Sequence, residues 1–216
     1  APPEPPVGAH AMEWRFEEGT GKLSLPVEGT QAWRLEAVSW VDGRNGKALG
    51  FNGAEGKAVL SPADWRARAA ADSFTLAAWI RLDKAGRIAP IFSRQTEAAR
   101  GWVLMTSLEG RLKLEIASAA GKLRLSSHNP LPPGEWHHVA MTIRFDPAET
   151  LGILYVDGAL VSRGTVAGAH EEPDLPVLLG RYRWSSSFDH YLAGSVDTVV
   201  LASPALDDDA IVRLAR

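Results

Sequence analysis

The 216-residue sequence contains no cysteine. This absence excludes disulfide bonds and metal sites built from thiolates, but it leaves the cellular compartment open, because a β-sandwich of this length can fold without cross-links. No apolar run approaches the roughly 18–20 residues that are needed to cross a bilayer. Basic residues are not in excess either: the net charge is -3. The composition therefore gives no electrostatic reason to expect nucleic acid binding.

Residues 1–11 are rich in proline, which occupies positions 2, 3, 5 and 6. The segment lacks the basic region and the apolar core of a signal peptide. Closely spaced prolines favour an extended, solvated backbone. We expect residues 1–11 to be either a linker from a preceding domain or a disordered tail, and residues 12–216 to form a single domain.

Short alternating segments dominate the remaining sequence. Residues 12–16 alternate with period two, and from Phe74 onward similar segments follow one another with glycine-containing turns between them. Residues 136–143 and 152–156 are two such segments, and the Asp157-Gly158 pair that follows is a strong hairpin signal, because glycine accepts positive φ. The pattern predicts an all-β, antiparallel two-sheet β-sandwich. Residues 207–216 predict a short C-terminal helix that Asp207 caps.

Several motifs along the chain match one family. They are WRFEEGTG at 14–21, GKALGFNG at 46–53, SFTLAAWIRL at 73–82, GEWHHVA at 134–140, LYVDG at 154–158, LLGR at 178–181 and GSVDTVVLASPAL at 194–206. Together they resemble the laminin G-like domains of the concanavalin A-like lectin/glucanase type. The resemblance covers nearly the whole chain, and it implies a jelly-roll sandwich.

Asp197 is the most informative carboxylate. In the predicted strand 191–201 it shares parity with Val199 and Leu201, so we expect all three side chains on one face. If that face is the core, the carboxylate needs a cation or several donors. The resemblance implies a structural calcium ion there, with Glu17, Asn52 and Asp197 as oxygen ligands. In the alternative, Asp197 accepts backbone N–H bonds at the sandwich edge.

The best candidate for ligand binding is the segment RYRWSSSFDHY at 181–191, which we predict to be a loop. Aromatic rings suit the apolar faces of sugars, charged side chains suit their hydroxyl and carboxylate groups, and loops of a sandwich commonly carry function. In the alternative, Tyr182 and Trp184 only cover the mouth of the sandwich. The predicted ligand-binding residues are Arg181, Tyr182, Arg183, Trp184 and His190.

Catalysis has little support in the sequence. The Glu-x-Asp-x-Glu triplet of glucanases that share this architecture is absent, and His138 is interpreted as a structural residue rather than a base or metal ligand. We therefore expect a non-catalytic, carbohydrate-binding recognition module of a larger protein, secreted, periplasmic or at the cell surface. A structural or protein-interaction module is the alternative, since one fold supports both. A glycoside hydrolase or lyase would need paired acids converging in a cleft.

Overall fold

The computed structural model describes residues 10–68, 73–96, 100–170, 173–185 and 188–216. Residues 1–9 of the predicted tail lie outside this part of the chain. The strands, in chain order, are β1 His10–Trp14, β2 Leu23–Ser24, β3 Trp33–Glu36, β4 Ser39–Asp42, β5 Lys47–Asn52, β6 Lys57–Leu60, β7 Ser73–Leu82, β8 Ala89–Gln95, β9 Gly101–Thr106, β10 Arg111–Ser118, β11 Gly121–Pro130, β12 Trp136–Phe145, β13 Glu149–Val156, β14 Ala159–Ala167, β15 Val177–Leu179, β16 Arg181–Ser185, β17 Phe188–Tyr191 and β18 Ala193–Ser203. The helices are α1 Pro62–Arg68 and α2 Asp208–Leu214.

Two eight-stranded antiparallel sheets form the predicted sandwich. One has the order β14-β13-β12-β7-β18-β5-β4, with β1 also paired to β18; we call it the helix-side sheet. The other has the order β11-β10-β9-β8-β15-β6-β3-β2; we call it the hairpin-side sheet. One apolar cluster fills the space between them and draws on strands from Met12 to Leu201. Among the described residues, no helix is long and apolar enough to span a membrane.

Each outer face carries one added element. Helix α2 packs through Ala210 and Ile211 on the outer face of the helix-side sheet, where it meets Ala77, Ala140 and Val200. Strands β16 and β17 form a separate two-stranded hairpin, which packs through Tyr182 on Val103 and Met105 of the hairpin-side sheet. The prediction of a loop at 181–191 was therefore wrong, because Arg181 pairs with Tyr191 and Tyr182 with His190 in a β-ladder.

Two local predictions are confirmed. Asp157 and Gly158 have φ values of 50° and 80°, as a type I′ turn requires, and they join β13 to β14 with Val156 paired to Ala159. Asp207 caps α2, since its side chain accepts a hydrogen bond from the Ala210 amide at 2.8 Å.

Candidate functional site

The β16–β17 hairpin is fixed to the sheet beneath it by apolar and polar contacts. The Tyr182 ring is 4% exposed, and it packs against Val103 and Met105 on β9. On the neighbouring strand, the Ser93 hydroxyl donates to the Arg181 carbonyl at 2.6 Å. The hairpin is therefore a supported platform, and the groups on its open side have defined positions.

An arginine–aspartate pair lies along this hairpin. Asp189 is diagonal to Arg181 across the ladder, so both side chains project from the same face. Arg181 Nη2 donates to Asp189 Oδ2 at 2.6 Å, and the Tyr191 hydroxyl donates to the same oxygen at 3.2 Å. The guanidinium carbon lies 5.7 Å from the centre of the Tyr191 ring. The cluster therefore combines a fixed donor, a fixed acceptor and an aromatic ring.

A cavity of about 290 Å³ opens beside this pair. It is lined by Ser93, Gln95, Thr96, Leu175, Pro176, Leu178 and Arg181. The Arg181 side chain is only 16% exposed, and its Nε atom has no hydrogen-bond partner among the described residues. Because the Nε atom itself is buried, a ligand in the cavity would meet the remaining, partly exposed part of the guanidinium. Amide and hydroxyl groups over an apolar floor suit a small polar ligand with an apolar face.

His190 lies on the other side of the hairpin. Its ring is stacked on Tyr182, with 6.4 Å between ring centroids, and it lines a separate cavity of about 470 Å³ together with Lys84, Arg87 and Leu108. Burial and the nearby charge of Arg87 lower the pKa of His190, and Asp189 only partly offsets them. His190 is therefore expected to be a neutral hydrogen-bonding group at neutral pH.

The structure thus separates the five predicted ligand-binding residues. Arg181 and His190 line two different cavities, and Tyr182 lies beneath the hairpin as its support. The side chains of Arg183 and Trp184 lie outside the described residues. Nothing in the sequence points to Gln95 or Thr96, because they lie at the end of β8 and just after it, far from the hairpin along the chain.

The Asp197 side chain lies on the opposite face of its sheet from Val199 and Leu201, not on the same face as we predicted. A β-bulge separates Asp197 from Val199, with Thr198 at φ 44°. Because the bulge inserts one residue, Asp197 projects with its partner Trp79 on the outer face of the helix-side sheet, while Val199 and Leu201 remain in the core. The expectation of a shared face was therefore wrong.

The three predicted calcium ligands are not brought to one point. Glu17 and Asp197 line the same cavity, of about 540 Å³, and Asn52 does not. Asn52 lies at the end of β5, where its Oδ1 accepts hydrogen bonds from the amides of Ala54 and Glu55 at 3.0 and 3.2 Å. Among the described residues, no group of three or more His, Cys, Asp or Glu side chains is placed to hold a metal ion. The predicted set of three ligands is not assembled.

Asp197 instead has hydrogen-bond donors around it. The carboxylate is 2% exposed. Its Oδ2 accepts from the backbone amides of Arg44 and Asn45 at 2.9 and 3.2 Å, and its Oδ1 accepts from the Thr198 hydroxyl at 3.1 Å. Burial raises the pKa of Asp197, and these hydrogen bonds oppose that rise. This geometry matches the alternative in which Asp197 is a structural acid that holds the 43–47 turn.

His138 stands near Asp197 on the same outer face. It is 2% exposed, pairs with Trp79 across the ladder and meets that ring edge-on at 5.4 Å between centroids. The Arg44 guanidinium covers Trp79 at 3.8 Å from the ring centre. Burial lowers the pKa of His138 to about 4, despite the nearby charge of Asp157. His138 is therefore a neutral, packed residue, consistent with the structural interpretation.

Comparison with known proteins identifies relatives of the fold. A family model described as the concanavalin A-like lectin/glucanases superfamily matches residues 52–212. No curated protein sequence matches the chain significantly. Domain 4 of AbnA, an extracellular GH43 arabinanase from Geobacillus stearothermophilus solved in complex with arabinotriose, superimposes with a TM-score of 0.70 at 16% identity. That alignment covers 95% of this chain and 97% of the domain.

Two other similar structures are parts of longer chains. A Trypanosoma rangeli sialidase in complex with sialic acid has a TM-score of 0.66 at 19% identity, and the alignment covers 94% of this chain but 32% of the sialidase. A structure of botulinum neurotoxin type C, whose cell entry depends on interaction with two ganglioside molecules, has a TM-score of 0.70 at 14% identity, with 94% of this chain and 50% of that chain covered. At these identities the likeness establishes the fold alone.

Proposed function

The chain belongs to the concanavalin A-like lectin/glucanase superfamily, and from this premise we propose that it is a non-catalytic, extracellular carbohydrate-binding module of a larger protein. The observation that carries the proposal is the Arg181–Asp189 pair, which is supported by the Tyr191 hydroxyl and lies beside the 290 Å³ cavity. Adjacent sugar hydroxyls each need a donor and an acceptor. A preformed guanidinium–carboxylate pair provides both at fixed spacing.

Binding follows from groups that are already in place. The Arg181 guanidinium, which lines the cavity, donates to a sugar oxygen that enters it, and the Asp189 carboxylate accepts from a neighbouring hydroxyl. Leu175, Pro176 and Leu178 offer an apolar surface for the C–H face of the ring. Because the hairpin is held on the sheet through Tyr182, little side-chain ordering opposes binding.

Glycoside hydrolysis finds less support at this site. Hydrolysis in most glycosidase families needs two carboxyl groups that flank the scissile bond. The described residues that line the 290 Å³ cavity contribute none, and the hairpin adds Asp189 next to it. Asp189 is already paired with the Arg181 guanidinium, so these described residues do not offer two free carboxyl groups.

Carbohydrate binding is tested by electrophoresis in gels that contain one polysaccharide each, from a panel of neutral and acidic polymers including arabinan. The wild-type protein is expected to be retarded by at least one polymer, and Arg181→Ala to abolish that retardation. Arg163→Ala, at an exposed position on β14, is the matched control and should migrate as the wild type does. Retardation that is unchanged by Arg181→Ala would reject this site.

A second candidate function has an observation of its own. Leu23, Leu25 and Val27 are each more than half exposed on the edge segment that begins with β2. Exposed apolar residues in a row are typical of protein-interaction surfaces. If the domain is a protein-interaction module, Leu25→Ser should weaken its association with another domain of the parent chain, and no polysaccharide in the panel should retard the wild type.

A further inference from the structure

A row of basic side chains lies on the outer face of the hairpin-side sheet. On β10, Leu112, Leu114 and Ile116 point into the core, so the alternate residues point outward. The same alternation holds on β11, where Leu123 and Leu125 are core residues. The outward-facing cations are Arg111, Lys113, Lys122 and Arg124, and we call this group the basic ledge.

The ledge concentrates positive charge. Residues two apart on a strand are about 7 Å apart, and neighbouring strands are about 4.8 Å apart, so the four cations occupy a band two strands wide. Two acidic side chains among the described residues oppose these cations. One is Glu115, whose Oε1 lies 3.6 Å from Arg124 Nε. The other is Glu109 in the turn before β10, whose pKa is lowered by a hydrogen bond to Ser107 and then by the charges of Lys113 and Arg111. Four cations against two carboxylates leave the ledge with two net positive charges, whereas the whole chain carries a net charge of -3. Like charges held this close repel one another unless an anion neutralises them.

The ledge adjoins the hairpin. Tyr182 covers Val103 and Met105 on β9, and β9 is the strand next to β10. Val103 pairs with Glu115 and Met105 with Lys113, so Tyr182, which packs on Val103 and Met105, lies beside the ledge. A polymer bound at the hairpin can therefore continue over β10 and β11.

We propose that the basic ledge selects acidic polysaccharides, whose carboxylate or sulfate groups pair with Lys113, Lys122, Arg111 and Arg124 while other sugar units occupy the hairpin site. This inference rests on the proposed carbohydrate-binding function, and it names the class of polysaccharide. Each contact is an exposed ion pair, so salt screens the interaction strongly.

The charge spacing favours a polysaccharide over nucleic acid. Duplex DNA carries one negative charge per about 1.7 Å of its axis, whereas neighbouring cations along a ledge strand are about 7 Å apart. A polysaccharide with one acidic group per sugar unit carries its charges further apart than duplex DNA does, and this spacing is closer to that of the ledge cations.

The test compares polygalacturonate, a sulfated galactan, neutral arabinan and duplex DNA by affinity electrophoresis, each at low and at high salt. The triple variant Arg111→Gln, Lys113→Gln, Lys122→Gln removes three cations and leaves the Arg124–Glu115 pair in place. The control Lys22→Gln, Arg163→Gln removes two exposed cations elsewhere. We expect the wild type to bind one of the acidic polymers tightest, the triple variant to bind it about tenfold more weakly, and the control to equal the wild type.

The outcomes separate the two proposals. Binding of arabinan that exceeds binding of both acidic polymers, or an unchanged affinity of the triple variant, overturns the inference and leaves carbohydrate binding intact. Equal binding of duplex DNA and polygalacturonate, with the same salt dependence, also overturns it, because the ledge would then be a general polyanion surface. Absence of binding to every polysaccharide overturns both proposals.

Discussion

Acidification is expected to destabilise the folded state through His138. Its pKa falls from 6.5 to about 4 on folding, mainly because the ring is buried. Between these two values the unfolded chain binds a proton that the folded chain does not, so stability is complete above about pH 6.5 and is lost as the pH falls towards 4. Each pH unit in this window costs about 1.4 kcal/mol, and the whole window about 3 kcal/mol.

The magnitude is checked by urea unfolding of the wild type and His138→Gln at pH 7, 6 and 5. The substitution itself destabilises the protein at pH 7, but glutamine does not titrate, so the difference between the two proteins should shrink by about 1.4 kcal/mol per pH unit below pH 6.5. His170, whose pKa burial also lowers to about 4, should account for a similar slope that remains in His138→Gln. A difference that is the same at pH 7 and pH 5 would refute the buried, neutral state of His138.

Other substitutions test the remaining assignments. Asp197→Ala should cost about 2–5 kcal/mol in urea unfolding, because it leaves the Arg44 and Asn45 amides without an acceptor; a loss below about 1 kcal/mol would contradict the structural role. Calcium binding stays a prediction for the cavity that Glu17 and Asp197 share. If calcium binds there at a hundredfold excess over Kd, a chelator should lower the melting temperature and remove about 2.7 kcal/mol of stability. A melting temperature that does not respond to chelator would exclude calcium binding. Trp184→Ala should abolish retention on a polysaccharide and leave the melting temperature nearly unchanged, since loss of a buried tryptophan would cost about 3–5 kcal/mol.

Much of the fold could be predicted because its signals are local. The Asp157-Gly158 turn and the Asp207 cap each follow from a few neighbouring residues, and the structure confirms them. The alternation of residues 12–16 also predicts a strand, and β1 covers His10–Trp14 but ends before Phe16, whose φ is 56°. The side on which Asp197 lies could not be predicted, because it depends on a bulge at Thr198, a residue that does not signal positive φ. A single inserted residue moves every later side chain of the strand to the opposite face of the sheet.

The candidate site was harder to predict than the fold. The segment 181–191 was identified by its composition, but it contains no Gly or Pro to signal a turn, so the hairpin was missed. The partners Ser93, Gln95 and Thr96 reach Arg181 only because β8 and the hairpin meet in space. Contacts of this kind depend on the tertiary structure and leave no pattern in one sequence.

The cavity beside Arg181 is proposed to bind sugar. The most direct test of this proposal is a titration of ¹⁵N-labelled protein with arabinotriose and with an oligogalacturonide, followed by NMR. We predict that at least one ligand shifts the Arg181 Nε–H signal and the amide signals of residues 93–96 and 189–191. Shifts confined to residues 23–27, or no shift with either ligand while the hairpin signals remain visible, would contradict the claim.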